Sequence, residues 1–310
     1  MSEKIAVIGA GLIGRAWAIV FARAGFTVAI WDAVPQALHA CQQQLRDNVA
    51  DLAAHGLISE TVDTVVGRIT PAASLADAVT GAMLVQENVK ETVEVKREIF
   101  QEMDRLAAPE TILTSSTSWI PTSAFSEHLP GRDRVLVAHP VNPPYLVPLV
   151  ELAPAPWTST ATVERARDIY TRAGQSPVLL KKEITGFLLN RIQGAVLNEA
   201  LNLFEQGYAS SEDLDTVIKD GLGLRWSFMG PFETIDLNAP EGLLDYAKRY
   251  GHTYRDVATT QLPNAWNSET LAAIAQERRN VLDAGKLGER ARWRDNRLMG
   301  LVAHKKQQPG

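Results

Sequence analysis

The sequence predicts an α/β chain with a doubly wound, mostly parallel sheet followed by a smaller all-helical domain. Three observations carry this. Short β-branched apolar runs alternate with helical periods through the first 180 or so residues. A glycine-rich turn joins the first such run to the first helix, and the strand pattern stops after about Lys182. Strands buried on both faces read as continuous apolar runs, and their alternation with helices is the signature of parallel crossover units.

The first unit is "KIAVIG", then the helical "LIGRAWAIVFARAG" with its stop signal at Gly25, then "FTVAIWD". Strand, helix and strand within about thirty residues have the size of one βαβ unit. "QALHACQQQLRDNVADLAAHG" continues as a long helix, "AMLVQ" as a strand and "EVKREIFQEMDRLA" as a helix. "TILTSS" and "RVLVAH" read as further strands, "STATVERARDIYTRAG" as a helix and "SPVLLK" as a last strand. Beyond a boundary at 183–186 the pattern is helical, beginning with the apolar "GFLLNRIQGAVLNEALNLFEQG". We therefore expect one domain over 1–184 and a second over 185–310. A helix so apolar is expected to pack on more than one side, against a second copy of the chain, so a homodimer through the helical domain is expected.

Composition bounds the function. The chain has 310 residues, 45% hydrophobic and 22% charged, in the range of an ordinary globular enzyme. A net charge of −5 offers no basic excess for neutralising phosphates, which argues against a nucleic-acid partner. The basic end "HKKQQPG" reads as a short solvated tail. No run approaches the roughly 20 apolar residues that span a bilayer, and no signal-peptide pattern opens the chain. The single cysteine, Cys41, lies in a helical, Gln-rich context and reads as structural. These features point to a reducing, cytoplasmic setting. No metal-ligand spacing stands out.

"GAGLIG" at 9–14 is a G-x-G-x-x-G that follows a strand, opens a helix and is trailed by Asp32 at the next strand end. That context is the dinucleotide fingerprint of a Rossmann-type sheet. Gly9 makes the turn, Gly11 lets the backbone approach the pyrophosphate, and Gly14 lets helix and strand pack closely. Leu12 and Ile13 fall between them at the helix N-terminus, where amides and the helix dipole favour phosphate. Asp32 would accept from the ribose hydroxyls and repel a 2′-phosphate, so NAD is the expected cofactor.

Ligands in such sheets bind beyond the carboxyl ends of the strands. There lie His139, after "RVLVA", Ser118, after "TILTSS", and Glu151, closing "PLVE". Asn190 sits in the first helix after the boundary. In "HPVNPPYLVPLVE", 139–151, four prolines stand between an imidazole and a carboxylate. Proline fixes φ, so the run reads as a device for holding His139 and Glu151 in one relation. Alcohol oxidation needs a base and an orienter for it, with neutral donors for the substrate oxygen, roles that suit His139, Glu151, Ser118 and Asn190. From spacing alone, each of these also reads as an ordinary strand-end, turn or helix residue.

Taken together, "GAGLIG", "ETVEVK" at 91–96, "SSTS" at 115–118, "HPVNP" at 139–143, "PLVE", "GFLLNR" at 186–191 and "MGPFE" at 229–233 resemble the 3-hydroxyacyl-CoA dehydrogenase superfamily. The resemblance implies that His139 is the base, that Glu151 is its partner and that Ser118 and Asn190 meet substrate oxygens. It also implies that Glu91 and Lys96 contact the cofactor, although by pattern alone both lie on a solvated helix face. The chain departs from the acyl-CoA enzymes at Pro140, where they carry an aromatic or Met, and at Ser116, where they carry Asn. These positions and "DGLGLRWSFMGPFETIDLNAPEG" resemble the λ-crystallin and L-gulonate 3-dehydrogenase branch, which implies a small sugar acid without CoA. L-carnitine dehydrogenases are similar too, including "GLRW". Arg225 in that segment is suited to a substrate carboxylate by two parallel hydrogen bonds, and equally to a surface or subunit contact. Trp226 beside it reads as core, as pocket lining, or as a stacking surface for a quaternary ammonium. A non-enzymatic, λ-crystallin-like NAD binder is the rival from another class. Loss of His139, Glu151 or Ser118 would mark it, and all three are present.

Overall fold

The computed structural model describes residues 3–308. Met1, Ser2, Pro309 and Gly310, which belong to the N-terminal lead and the basic tail, lie outside the described residues. The strands are β1 (Lys4–Ile8), β2 (Thr27–Trp31), β3 (Ile69–Pro71), β4 (Leu84–Glu87), β5 (Ile112–Ser115), β6 (Val135–Pro140), β7 (Leu149–Pro154) and β8 (Ser176–Leu179). They form one sheet in the order β3-β2-β1-β4-β5-β6-β7-β8. Every neighbouring pair is parallel except β6 and β7. The reversal of strand order on either side of β1 is the topological switch point, beside which ligands bind in such sheets.

Strand β3 was not legible in the sequence. It has three residues at the sheet edge, partly or fully exposed, so it lacks the apolar run that marks the central strands.

Helices cover both faces of the sheet. On one side Trp17 and Phe21 stack with ring centres 5.3 Å apart, beside Tyr170 and Leu136. On the other lie Phe100, Phe125, Val137 and Phe187. Trp17 and Phe21 are wholly buried. Truncating a ring of this size in such a core costs about 3–5 kcal/mol. Cys41 belongs to the first layer, and burial pushes its thiol up to about 11, as suits a structural cysteine.

The chain divides into one compact unit of 1–190 with 291–310, and a second of 191–290. The expected second domain running to 310 is thus corrected. In the last helix, Leu287–Gln307, Met299 is buried in the core of the first unit, with Leu298, Val302 and Ala303 packed against that core. Lys305 and Lys306 of the expected solvated tail are part of the same helix. Within the second unit, Asn198 and Asn202 donate to the carbonyl of Leu262, and Asn264 donates to Asn202 and Glu205. No helix among the described residues is long and apolar enough to cross a membrane.

Candidate active site

The glycine turn follows from β1. Gly9 has φ +96°, which a side chain rarely tolerates, and a Cβ there would lie 2.7 Å from the carbonyl oxygen of Asn88. A Cβ on Gly14 would lie 1.8 Å from the Gly9 carbonyl oxygen, so helix Leu12–Arg23 reaches this closeness to the turn only with glycine. A Cβ on Gly11 would meet nothing within 4 Å. Gly11 caps the helix without a side-chain hydrogen bond, so the first amides keep their capacity for a ligand. Leu12 is exposed there, while Ile13 packs on the core. Asp32 closes the turn, its carboxylate accepting from the amides of Ala10 (2.7 Å) and Val34 (2.8 Å). A backbone left open at Gly11, uncapped amides and an acidic group at the next strand end fit a dinucleotide's pyrophosphate and ribose.

His139 and Glu151 are directly opposite each other in the antiparallel pair β6–β7. That register, with the proline-rich 141–148 as its connection, is what brings them together. Nδ1 of His139 lies 2.9 Å from Oε2 of Glu151, and the two residues are 5% and 1% exposed. The other carboxylate oxygen accepts from the amides of Leu188 (2.8 Å) and Leu189 (2.9 Å). Burial alone would raise the Glu151 carboxyl above its ordinary value. The hydrogen bonds from His139 and the two amides outweigh that and hold it below. It is therefore a carboxylate at neutral pH, and as an acceptor it fixes the proton of a neutral imidazole on Nδ1, which leaves the lone pair on Nε2.

The two amides come from a turn that sequence reasoning did not find. Gly186 and Phe187 have φ +76° and +48°, consecutive left-handed residues just ahead of helix Leu189–Glu205. Successive amides in such a turn converge on an anion. A left-handed phenylalanine is strained and persists because the surroundings hold it. Phe187 is fully buried, its ring 5.5 Å from the His139 ring.

Asn190, in the next turn, donates from Nδ2 to the carbonyl of Ser118 (2.9 Å). The amide of Ser118 in turn donates to Oε1 of Glu91 (2.8 Å), which also receives Thr117 Oγ1 and the Trp119 amide. His139, Glu151, Asn190, Ser118 and Glu91 are thus joined through hydrogen bonds and the intervening backbone.

Lys96 departs from the solvated helix face that its pattern suggests. It is 1% exposed, and its ammonium donates to both oxygens of the fully buried Glu87 (3.0 and 2.9 Å). The resemblance implied a direct cofactor contact; with the ammonium enclosed and committed to Glu87, we propose that Lys96 acts on the cofactor side through that pair. Glu87 also accepts from the Val89 amide (2.6 Å) and Ser115 Oγ (2.5 Å), so the pair anchors the segment leading to Glu91.

Ser116 is equally engaged. Its hydroxyl accepts from Trp17 Nε1 (3.0 Å) and Gln86 Nε2 (2.7 Å) and donates to Asn88 Oδ1 (2.7 Å). Gln86 is held in turn by Tyr170, whose hydroxyl donates to it. Sequence reasoning passed over Glu87 and Asn88, although a polar "QEN" at the end of an apolar strand was the available signal.

Arg225 lies in the short helix Gly223–Trp226 of the second unit, just after a π-helical stretch, Val217–Leu222. Such stretches are frequent at functional sites. Near Arg225, Tyr246 and Tyr254 share a hydrogen bond of 2.8 Å.

Comparison with known proteins gives the family. Residues 4–184 match the model for the 3-hydroxyacyl-CoA dehydrogenase NAD-binding domain, and 186–289 match that for the C-terminal domain. A λ-crystallin homolog from Bos taurus is 44% identical over 98% of this chain and 96% of its own. An L-carnitine dehydrogenase from Pseudomonas sp. is 32% identical over 97% and 93%. The solved structure of 5-formyl-3-hydroxy-2-methylpyridine 4-carboxylic acid 5-dehydrogenase, described as an NAD+-dependent dismutase, superposes with a TM-score of 0.83 at 28% identity, covering 99% and 98%. With a dinucleotide turn at one strand end and a buried histidine–glutamate pair at another, the chain belongs to the NAD-dependent 3-hydroxyacyl-CoA dehydrogenase family.

Proposed function

We propose that the chain oxidises the 3-hydroxyl of a small 3-hydroxy acid without CoA, L-gulonate or a related sugar acid, to the 3-keto acid. The observation that carries the chemistry is the buried His139–Glu151 pair, with Nδ1 on the carboxylate and Nε2 left as base. Identity of 44% to a λ-crystallin homolog, against 32% to a carnitine dehydrogenase, supports the sugar-acid branch.

The amides at Gly11, Leu12 and Ile13 would hold the pyrophosphate, Asp32 the ribose, and Glu91 the nicotinamide side. When bound, NAD+ supplies the acceptor for the hydride. His139 takes the hydroxyl proton on Nε2, and Glu151 stabilises the imidazolium that results. Ser118 and Asn190 orient the substrate oxygen, with Asn190 aligned by the Ser118 carbonyl. Lys96 acts through Glu87. Arg225 is the residue we assign to the substrate carboxylate.

We also propose a homodimer through the second unit, in the cytoplasm. Phe232 (75% exposed), Phe228 (68%) and Leu244 (81%) are large apolar side chains left open on the second unit, which a second copy would cover. Sedimentation equilibrium tests this, and a monomer at micromolar concentration overturns it.

Initial rates of NADH formation with L-gulonate, L-carnitine and 3-hydroxybutyryl-CoA test the substrate. The highest kcat/KM is expected with L-gulonate. A win for carnitine overturns the sugar-acid reading and turns attention to Trp226. His139→Ala should lose orders of magnitude in kcat while retaining NAD affinity, and normal turnover in it would remove His139 as the base.

A further inference from the structure

A cavity of about 530 Å³ opens at the C-terminal end of helix Leu12–Arg23, roughly 18 Å along the helix from the glycine turn. Its size is that of a small-molecule site. Leu57, Val65, Leu146 and Val302 are among its apolar lining, and Arg23, Lys305 and Lys306 contribute cations. Of the charged residues of the lining, Arg172 pairs with Glu3 and Glu60 with Arg68.

Arg23 is the informative residue. Its guanidinium donates to the carbonyl of Tyr145 (2.7 Å) and meets no carboxylate among the described residues. Burial pulls it below the ordinary arginine range. A partly buried cation without a counter-charge is unfavourable, and an anion in the cavity relieves it. Tyr145, Leu146 and Pro148, which also line the space, belong to the 141–148 connection between His139 and Glu151. An occupant therefore touches the segment that sets their register, away from the cofactor turn.

We propose that this cavity is a second ligand site, for an organic anion with an apolar body such as a medium-chain carboxylate, its charge on Arg23 and Lys306 and its chain against Leu57, Val65, Leu146 and Val302. The test is calorimetric titration of octanoate into the full-length, NAD-saturated protein, with octanol as neutral control. It measures binding alone, so its outcome is independent of which substrate is oxidised. Octanoate should bind saturably at one site per chain, at least tenfold more tightly than octanol. Arg23→Met should weaken it at least tenfold with NAD affinity unchanged, and Val302→Trp, which fills the cavity, should abolish it should the first variant fail to fold. No octanoate binding, equal affinity in a folded Arg23→Met, equal affinity for octanol, or displacement by L-gulonate each overturns the proposal.

Discussion

Glu151→Gln changes one oxygen into an amino group at the centre of the proposed catalytic pair. The carboxylate accepts from His139 on one oxygen and from the Leu188 and Leu189 amides on the other. A carboxamide has one accepting end, and two amide donors outcompete one imidazole for it. The amino group then faces Nδ1, so the imidazole must carry its proton on Nε2, where the substrate proton has to go. The lost charge-assisted hydrogen bond is worth about 1.5–3 kcal/mol, roughly 10- to 150-fold at about 1.4 kcal/mol per decade. The wrong tautomer adds to this, for a total of about a thousandfold in kcat. NAD affinity should be unchanged, because the cofactor turn shares no hydrogen bond with Glu151. Because the folded pKa of Glu151 is depressed, its ionised form contributes stability that is complete above the ordinary value of 4.5 and is lost as pH falls through the lower folded value. The glutamine variant should lack that acid-side loss. The assays are NADH appearance and urea melts from pH 3 to 7. A variant within threefold of wild type in kcat, with its fold intact, would refute the assignment of Glu151.

Further predictions concern the supports. Lys96→Met leaves Glu87 buried without its counter-charge and should destabilise by about 3–5 kcal/mol in urea melts, with part of the loss recovered in the double variant with Glu87→Gln. Ser116→Ala strips Trp17 and Gln86 of an acceptor and Asn88 of a donor. It should cost about 1–3 kcal/mol and raise KM for NAD more than it lowers kcat. Gly14→Ala should abolish cofactor binding by equilibrium fluorescence, since the Gly9 carbonyl oxygen occupies the space of the added carbon. Arg225→Met should raise KM for L-gulonate by about 10- to 100-fold without changing KM for NAD, given the strength of a bidentate carboxylate contact.

The sheet was legible where strands are central, because burial on both faces writes an unbroken apolar run. It was illegible at β3, which has no buried face to write. The pairing of His139 with Glu151 was readable as a relation, since the prolines between them need a purpose, but the antiparallel register that produces it was not. The destination of the last helix was hidden for another reason: Met299, Leu298 and Val302 look alike whether they pack on their own domain or return to the first. Lys96 was misread because a single lysine in a charged helix face carries no mark of burial. Only its distance in space from Glu87 distinguishes an enclosed pair from a solvated one.

The segment "SSTS" shows how the two halves of the site depend on one another. Ser115 donates to Glu87, Ser116 to Asn88, and Thr117 to Glu91, while the Ser118 backbone joins Glu91 to Asn190. The Ser116 contact serves the cofactor turn, since Asn88 lies against Gly9, while the Ser115 contact holds Glu87 and the segment leading to Glu91, and the last two serve the side of His139. Ser116 is one of the departures from the acyl-CoA enzymes, yet every hydrogen-bonding capacity of its hydroxyl is used beneath the cofactor turn. It therefore changes the packing under the turn and leaves no group for the substrate. On the function proposed above, selection of a small acid over an acyl-CoA is to be sought elsewhere, and Arg225 is the position at which a charge swap tests it. Arg225→Glu should suppress L-gulonate oxidation by repulsion of its carboxylate while leaving NAD affinity intact. An unchanged KM for L-gulonate in that variant would remove Arg225 from the substrate site.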